Sequence, residues 1–187
     1  GREKLVDGVG LIDPVALERG RMAQVSSGIT PDPDTAAEGF IYLCLQELAT
    51  RIAHRNTGKL IGDDVGFAVM KRVAADENLH HIFYRDLATA ALEMSPNTLL
   101  PALERQVVNF AMPGLGIPGF AEHAAAIARA GVYDLAIHHE QILVPMLLRQ
   151  WRIDQLEGLD AEAEQARDRV MKRLDKSERV ARRLADR

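Results

Sequence analysis

The chain has 187 residues, a formal net charge of −4, a pI near 5.9 and a hydrophobic fraction of 47%, with only 5% aromatic residues. That length suits one domain with a real core, and the acidic balance argues against a general nucleic-acid binder. Cys44 is the only cysteine, so no intrachain disulfide can form and a reducing compartment fits.

No apolar run reaches the roughly 18 residues of a membrane span. The opening G-R-E-K-L-V-D lacks the apolar stretch of a secretory signal. The expectation is one cytoplasmic domain over 1–187 with no transmembrane segment. Asp13-Pro14 offers a cap followed by proline at the first helical position, which predicts a helix near 14–26. S-S-G-I-T-P-D-P-D at 26–34 reads as a loop. A long helix follows from about 35 to 57, with Gly58 as its expected stop. Gly62-Asp63-Asp64 opens the next helix, which runs to about Ser95, where Pro96-Asn97 break it. A shorter helix is expected over 98–111, and M-P-G-L-G-I-P-G at 112–119 is a loop by composition. Helices near 120–130 and 134–151 come next, the second with an expected kink at Pro145. A charged helix from about 160 to 185 closes the chain. It carries Lys172, Arg173, Lys176, Arg179, Arg182 and Arg183 among Asp168, Asp175 and Glu178, which reads as an exposed helix laced with salt bridges. No alternating strand pattern competes, so the class is all-α, a helical bundle.

The stretch A-D-E-N-L-H-H at 75–81 interrupts an otherwise apolar helix. Glu77 and His80, three residues apart, share one face. The row Met70, Val73, Glu77, His80, Tyr84, Leu87, Ala91 advances in steps of three and four, the spacing of a core-facing surface. A carboxylate there is costly unless it is paired, hydrogen-bonded or bound to a metal. On the 35–57 helix, Phe40, Leu43, Glu47, Thr50 and His54 fall within an arc of about 80°. Ile41, Leu45, Leu48 and Ile52 form a second apolar stripe, so this helix expects cover on most sides. One helix offering a glutamate and its neighbour offering Glu-x-x-His make half of a carboxylate-bridged di-metal site; the full pattern has two of each. Carboxylate oxygens with imidazole suit non-haem iron, with manganese as a substitute, and the donor set disfavours structural zinc.

Blander readings stand beside this one. Glu-x-x-His is short and recurs by chance on exposed helices. Thr50 can place its hydroxyl near metal-bound oxygen, or simply bond its own helix backbone. Asp76 can orient a histidine from another helix, or be a solvated residue. His54 can support the site, although it and His81 read more simply as structural or surface groups. His138 and His139 have no suitably spaced carboxylate partner, and Tyr84 reads as core filler.

Several segments, in order, resemble one family. Q-E-L-A-T-R-I-A-H-R-N-T-G at 46–58, A-A-D-E-N-L-H at 74–80, F-A-M-P-G at 110–114, G-V-Y-D at 131–134 and R-Q-W-R-I-D-Q-L-E-G-L at 149–159 are similar to the soluble acyl-[acyl-carrier-protein] desaturases, especially those of actinobacteria. The resemblance covers nearly all of the chain. It implies a ferritin-like bundle, a homodimer and a di-iron centre. It also implies an enzyme that uses dioxygen and a ferredoxin-type electron donor to insert a cis double bond into an acyl chain held on acyl carrier protein. By motif, Glu47, Glu77 and His80 match iron ligands, Thr50 matches the threonine beside the dioxygen site, and Asp76 matches an aspartate that supports a ligand.

The family pattern also has an earlier glutamate helix and an earlier Glu-x-x-His, and this chain has neither. R-E-K-L-V at 2–6 resembles the stretch that follows them. The expectation is an N-terminally incomplete bundle that exposes apolar surface on the helices at 35–57 and 63–95. Three readings follow: part of a longer desaturase, the favoured one; two chains pairing to complete the ligand set; or a degenerate homologue serving as a metal- or carrier-binding scaffold. An acidic carrier protein would need a local basic patch, for which Arg51, Arg55 and Lys59 are candidates, with a solvated helix face as the plainer alternative.

Overall fold

The structure is a computed structural model, which describes residues 13–27, 33–112, 114 and 116–185. The stretch at 2–6 and the middle of the 26–34 loop lie outside them. The helices are α1 (Pro14–Ser27), α2 (Ala36–Ile61), α3 (Asp64–Met94), α4 (Pro96–Asn109), α5 (Phe120–Arg129), α6 (Leu135–His138) and α7 (Ala161–Ala185). A π-helical stretch, His139–Gln150, continues α6, and a short 3-10 turn spans Ile153–Gln155. The described residues contain no strand, so the all-α expectation holds. None of their helices is long and apolar enough to cross a membrane.

The residues fall into two compact units. The smaller comprises Gly1–Pro31 and Ala111–Ala125. In it α1 opens as expected, with the Asp13 carboxylate accepting from the Val15 amide at 2.9 Å, and the Gln24 side-chain oxygen accepts from the Gly116 amide at 2.6 Å. The larger comprises Asp32–Phe110 and Ala126–Arg187 and carries every candidate site residue.

An antiparallel hairpin, α2–α3, dominates the larger unit. Thr35 caps α2, its hydroxyl accepting from the Glu38 amide at 3.2 Å. Asp63 caps α3, its carboxylate accepting from the Gly66 amide at 2.8 Å. Between them Gly62 takes a left-handed conformation, φ 67°, which only glycine adopts without strain. The expected stop at Gly58 is therefore corrected to Gly62. Gly58 stays helical and serves closeness instead: a Cβ there would lie 2.9 Å from the Met70 Cβ. Pro96 likewise does not merely end α3, because it occupies the first turn of α4, where its missing N–H costs nothing. At Pro145 the helix is wound more widely rather than simply kinked, with the Trp151 amide donating to the Met146 carbonyl five residues back.

The core is built from Ile41, Cys44 and Leu45 of α2, Leu100 and Leu103 of α4, Ile142 and Leu147 of the π-helical stretch, and Ile153. From α7, Ala163, Ala166, Val170 and Leu174 enter it. That spacing makes α7 amphipathic, so reading it as wholly exposed missed a packed face. Its outer face does carry ion pairs, Arg182 with Glu178 and Arg169 with Glu104. The indole N–H of Trp151 donates to the Thr89 hydroxyl at 3.0 Å and ties the C-terminal segment to α3.

Candidate metal centre

Glu47 on α2 and Glu77 and His80 on α3 converge across the hairpin. One ligand atom of each lies within 4.8 Å of the others. His80 Nδ1 is 3.5 Å from a Glu47 oxygen and 3.4 Å from a Glu77 oxygen. His54, two turns beyond Glu47 along α2, brings Nε2 to 3.5 Å from the other Glu77 oxygen. Two carboxylates and two imidazoles therefore meet in one place, and the antiparallel register is what aligns them.

The electrostatics show the strain of this arrangement. Burial, reinforced by the hydrogen bond and charge of Glu77, pushes the Glu47 carboxyl up to about 7, against the pull of His80. Glu77 is held below its usual range, chiefly by its bond with Glu47. The pair thus shares one proton near neutrality, because two adjacent carboxylates resist ionising together. A cation placed between them would displace that proton. The donor set fits a divalent metal: two carboxylates and an imidazole bring oxygens and a nitrogen within 4.8 Å of one another.

The cluster is not sealed. The side chains of Glu47 and Glu77 are largely covered, but that of His80 is 58% exposed. The expected core row on α3 is therefore corrected. Met70, Val73, Glu77, Tyr84, Leu87 and Ala91 are only partly buried, and the buried row is Ala74, His81, Ala88 and Leu92. The face that α3 turns to α2 lies to one side of the ligand stripe, which borders open solvent. Leu79 and Phe83 beside it are exposed, as are Val65 and Val69, so the expected exposure of apolar surface is present on α3, whereas the 35–57 stretch of α2 has no exposed large apolar side chain.

The remaining candidates divide. Thr50 donates to the Gln46 and Glu47 carbonyls at 3.2 and 3.0 Å, so its proton is spent on its own helix. Asp76 pairs with Arg72 at 3.2 Å on the surface of α3. His81 is structural, with its ring Nδ1 2.9 Å from the Cys44 carbonyl oxygen. His138 lies 2.7 Å from the Tyr133 hydroxyl and stacks near Phe110. Arg51, Arg55 and Lys59 line a groove on α2.

Two residues of α2 escaped sequence reasoning. Burial, aided by the charge of Glu47, pushes the Tyr42 phenol up to about 12. Glu38, almost fully buried, accepts from Arg105 at 2.8 and 2.6 Å and from Gln106 at 3.1 Å, which clamps α2 to α4. Neither sits in a recognisable motif. A glutamate at the first turn of a helix looks like an ordinary dipole-facing acid.

Residues 3–187 match the family described as fatty acid desaturase. A protein of Mycobacterium tuberculosis named as acyl-[acyl-carrier-protein] desaturase DesA1 is 40% identical over 167 residues, covering 85% of this chain and 49% of its own length. Acyl-[acyl-carrier-protein] desaturase 7, chloroplastic, of Oryza sativa is 32% identical over 95% of this chain and 46% of its own length. Stearoyl-[acyl-carrier-protein] 9-desaturase, chloroplastic, of Gossypium hirsutum is 31% identical over 85% and 42%. The chain spans about half the length of the curated relatives it matches. A match that runs from residue 3 to the last residue, over an all-α hairpin that brings a glutamate to a Glu-x-x-His, means that the chain belongs to the soluble acyl-[acyl-carrier-protein] desaturase family.

Proposed function

We propose that the chain supplies Glu47, Glu77 and His80 as ligands to a di-iron centre in an oxidoreductase that inserts a cis double bond into an acyl chain carried on acyl carrier protein. The observation that carries this reading is the convergence of two carboxylates and an imidazole across α2 and α3, within 4.8 Å. Iron held there would supply the reductive activation of dioxygen, chemistry that no side chain possesses.

The chain's own residues set the conditions. Glu47 and Glu77 together offer two negative charges to a divalent ion once their shared proton leaves. His54, against the second Glu77 oxygen, fixes that carboxylate's orientation in the way outer partners steady metal ligands. Thr50 lies one turn beyond Glu47 on the same face; its oxygen can accept a hydrogen bond now, and its proton becomes available only if it leaves the Gln46 and Glu47 carbonyls. These three ligands are half of the pattern with two glutamates and two Glu-x-x-His units. The open side of His80 is where further ligands would enter.

The overall conversion removes two hydrogens from the acyl chain and reduces dioxygen to two waters, with two electrons from a ferredoxin-type donor and two protons from solvent. The test is mass spectrometry of a carrier-bound acyl chain after incubation with iron-loaded protein, dioxygen and reduced ferredoxin. A loss of two mass units that depends on Glu77 supports the reading. Metal binding without conversion would favour a metal-binding scaffold instead.

A further inference from the structure

The α2 helix has a second chemical feature, beginning one turn beyond Glu47. Arg51, Arg55 and Lys59 recur every four residues and stand along one groove between α2 and the π-helical stretch. The groove encloses a cavity of about 240 Å³, lined also by Leu48, Ile52 and Asn56 of α2 and by Gln141 opposite. Its walls therefore bring three cations and two amides, and no acid.

Several cations on neighbouring elements are neutralised. Arg72 faces Asp76, Arg85 faces Asp86, and Arg105 faces Glu38. Among the described residues, no carboxylate lies within ion-pair distance of Arg51, Arg55 or Lys59. Like charges spaced four apart on a helix repel, so this row is unfavourable until an anion joins it. The groove also has a fixed wall, since the Asn56 side-chain amide donates to the Val132 carbonyl at 3.0 Å.

We propose that this groove seats a phosphate ester, specifically the phosphate of the pantetheine arm that holds an acyl chain on its carrier protein. Two guanidinium forks one turn apart, with an ammonium on the next turn, match a tetrahedral anion with several acceptor oxygens better than they match one carboxylate. The groove, open to solvent, has room for a phosphate group with its first waters. Leu48 and Ile52 give the apolar part of an arm a surface to lie on. The row begins at Arg51, one turn from Glu47, and leads away from it along the helix. An arm anchored there is thereby directed along the element that bears the metal ligands. The assignment rests on the carrier-bound substrate proposed above.

The experiment titrates the 187-residue chain calorimetrically with pantetheine 4′-phosphate, pantetheine and inorganic phosphate, at low and high ionic strength. The variant is R51Q/R55Q/K59Q, and R72Q on α3 is the control, with circular dichroism to show that each is folded. Binding of pantetheine 4′-phosphate that weakens with salt, exceeds that of both other probes, and falls at least ~10-fold only in the triple variant would support the seat. Equal binding by the triple variant would overturn it, as would equal binding of pantetheine. Inorganic phosphate bound as tightly as the ester would overturn the assignment to the carrier's arm. Iron content measured on the same samples separates the two readings. Lost phosphate binding with normal iron uptake refers to this groove alone; absent iron uptake with intact phosphate binding refers to the metal centre alone.

Discussion

Replacing Arg105 with alanine should destabilise the fold far more than replacing its partner Glu38 with methionine. The Glu38 carboxylate is 3% exposed and accepts three hydrogen bonds, two from Arg105 and one from Gln106. Removing Arg105 strands a buried charge with a single neutral donor, a change that costs about 3–5 kcal/mol when both partners are buried. The Arg105 side chain is 48% exposed, so water already screens that partner, which lowers the expectation to about 2–3 kcal/mol. Glu38→Met instead leaves Arg105 free to turn into solvent and fills the site with apolar atoms, for an expected cost below about 1 kcal/mol. Urea unfolding at neutral pH, followed by circular dichroism, compares the two through their midpoints at constant slope. Equal costs, or a cost under ~1 kcal/mol for Arg105→Ala, would refute the reasoning that desolvation of Glu38 governs this clamp. The clamp bears on the proposed metal centre because α2 carries Glu47.

Gly58→Ala places a Cβ 2.9 Å from that of Met70. Overpacking costs about 1–3 kcal/mol against a helix-propensity gain of about 0.5–1 kcal/mol, so the melting temperature should fall; a rise would mean that α2 and α3 are not in tight contact there. Thr89→Val removes the acceptor of the buried Trp151 indole, with an expected loss of about 1–2 kcal/mol. Because Trp151 is the only tryptophan, its fluorescence should shift with the substitution, and an unchanged spectrum with unchanged stability would contradict the bond. Burial, aided by the charges of His139 and Arg173, lowers His138 to about 4, and burial also lowers His81. Unfolded histidines take up protons near 6.5, so stability present above that pH should drain away as pH falls from 6.5 toward 4. His138→Gln should flatten that slope in melts across the range, and a slope identical to the parent's would show that His138 is not held neutral by the fold.

The parts of the site legible in the sequence were those written in local spacing. Glu77 and His80 share a face because they are three apart. Glu47 fell on a calculable stripe of the preceding helix, and Gly62-Asp63-Asp64 marked where the next helix begins. What spacing could not state was how much of each helix a neighbour covers. The expected stripe and the true buried row of α3 differ by one position, Val73, His80, Leu87 and Ala91 against Ala74, His81, Ala88 and Leu92, and only packing decides between them. Gly58 failed as a stop signal for a similar reason: glycine serves both helix ends and close approach, and the Met70 contact that selects the second use is twelve residues away in the chain. Glu38 and its clamp depend on Arg105 and Gln106, far along the sequence. The π-helical winding around Pro145 is a register change to which hydrophobic periodicity is insensitive.

The most direct test of the central claim is anaerobic titration of the chain with ferrous iron, comparing the parent with Glu47→Gln, Glu77→Ala and His80→Ala, and with Asp86→Ala as a surface control. The account predicts stoichiometric binding to the parent and to the control, accompanied by proton release as the carboxyl pair gives up its shared proton. Each of the three ligand variants should lose at least ~10-fold in affinity. Iron that binds Glu77→Ala and His80→Ala as tightly as the parent would contradict the account, because the metal would then be held elsewhere.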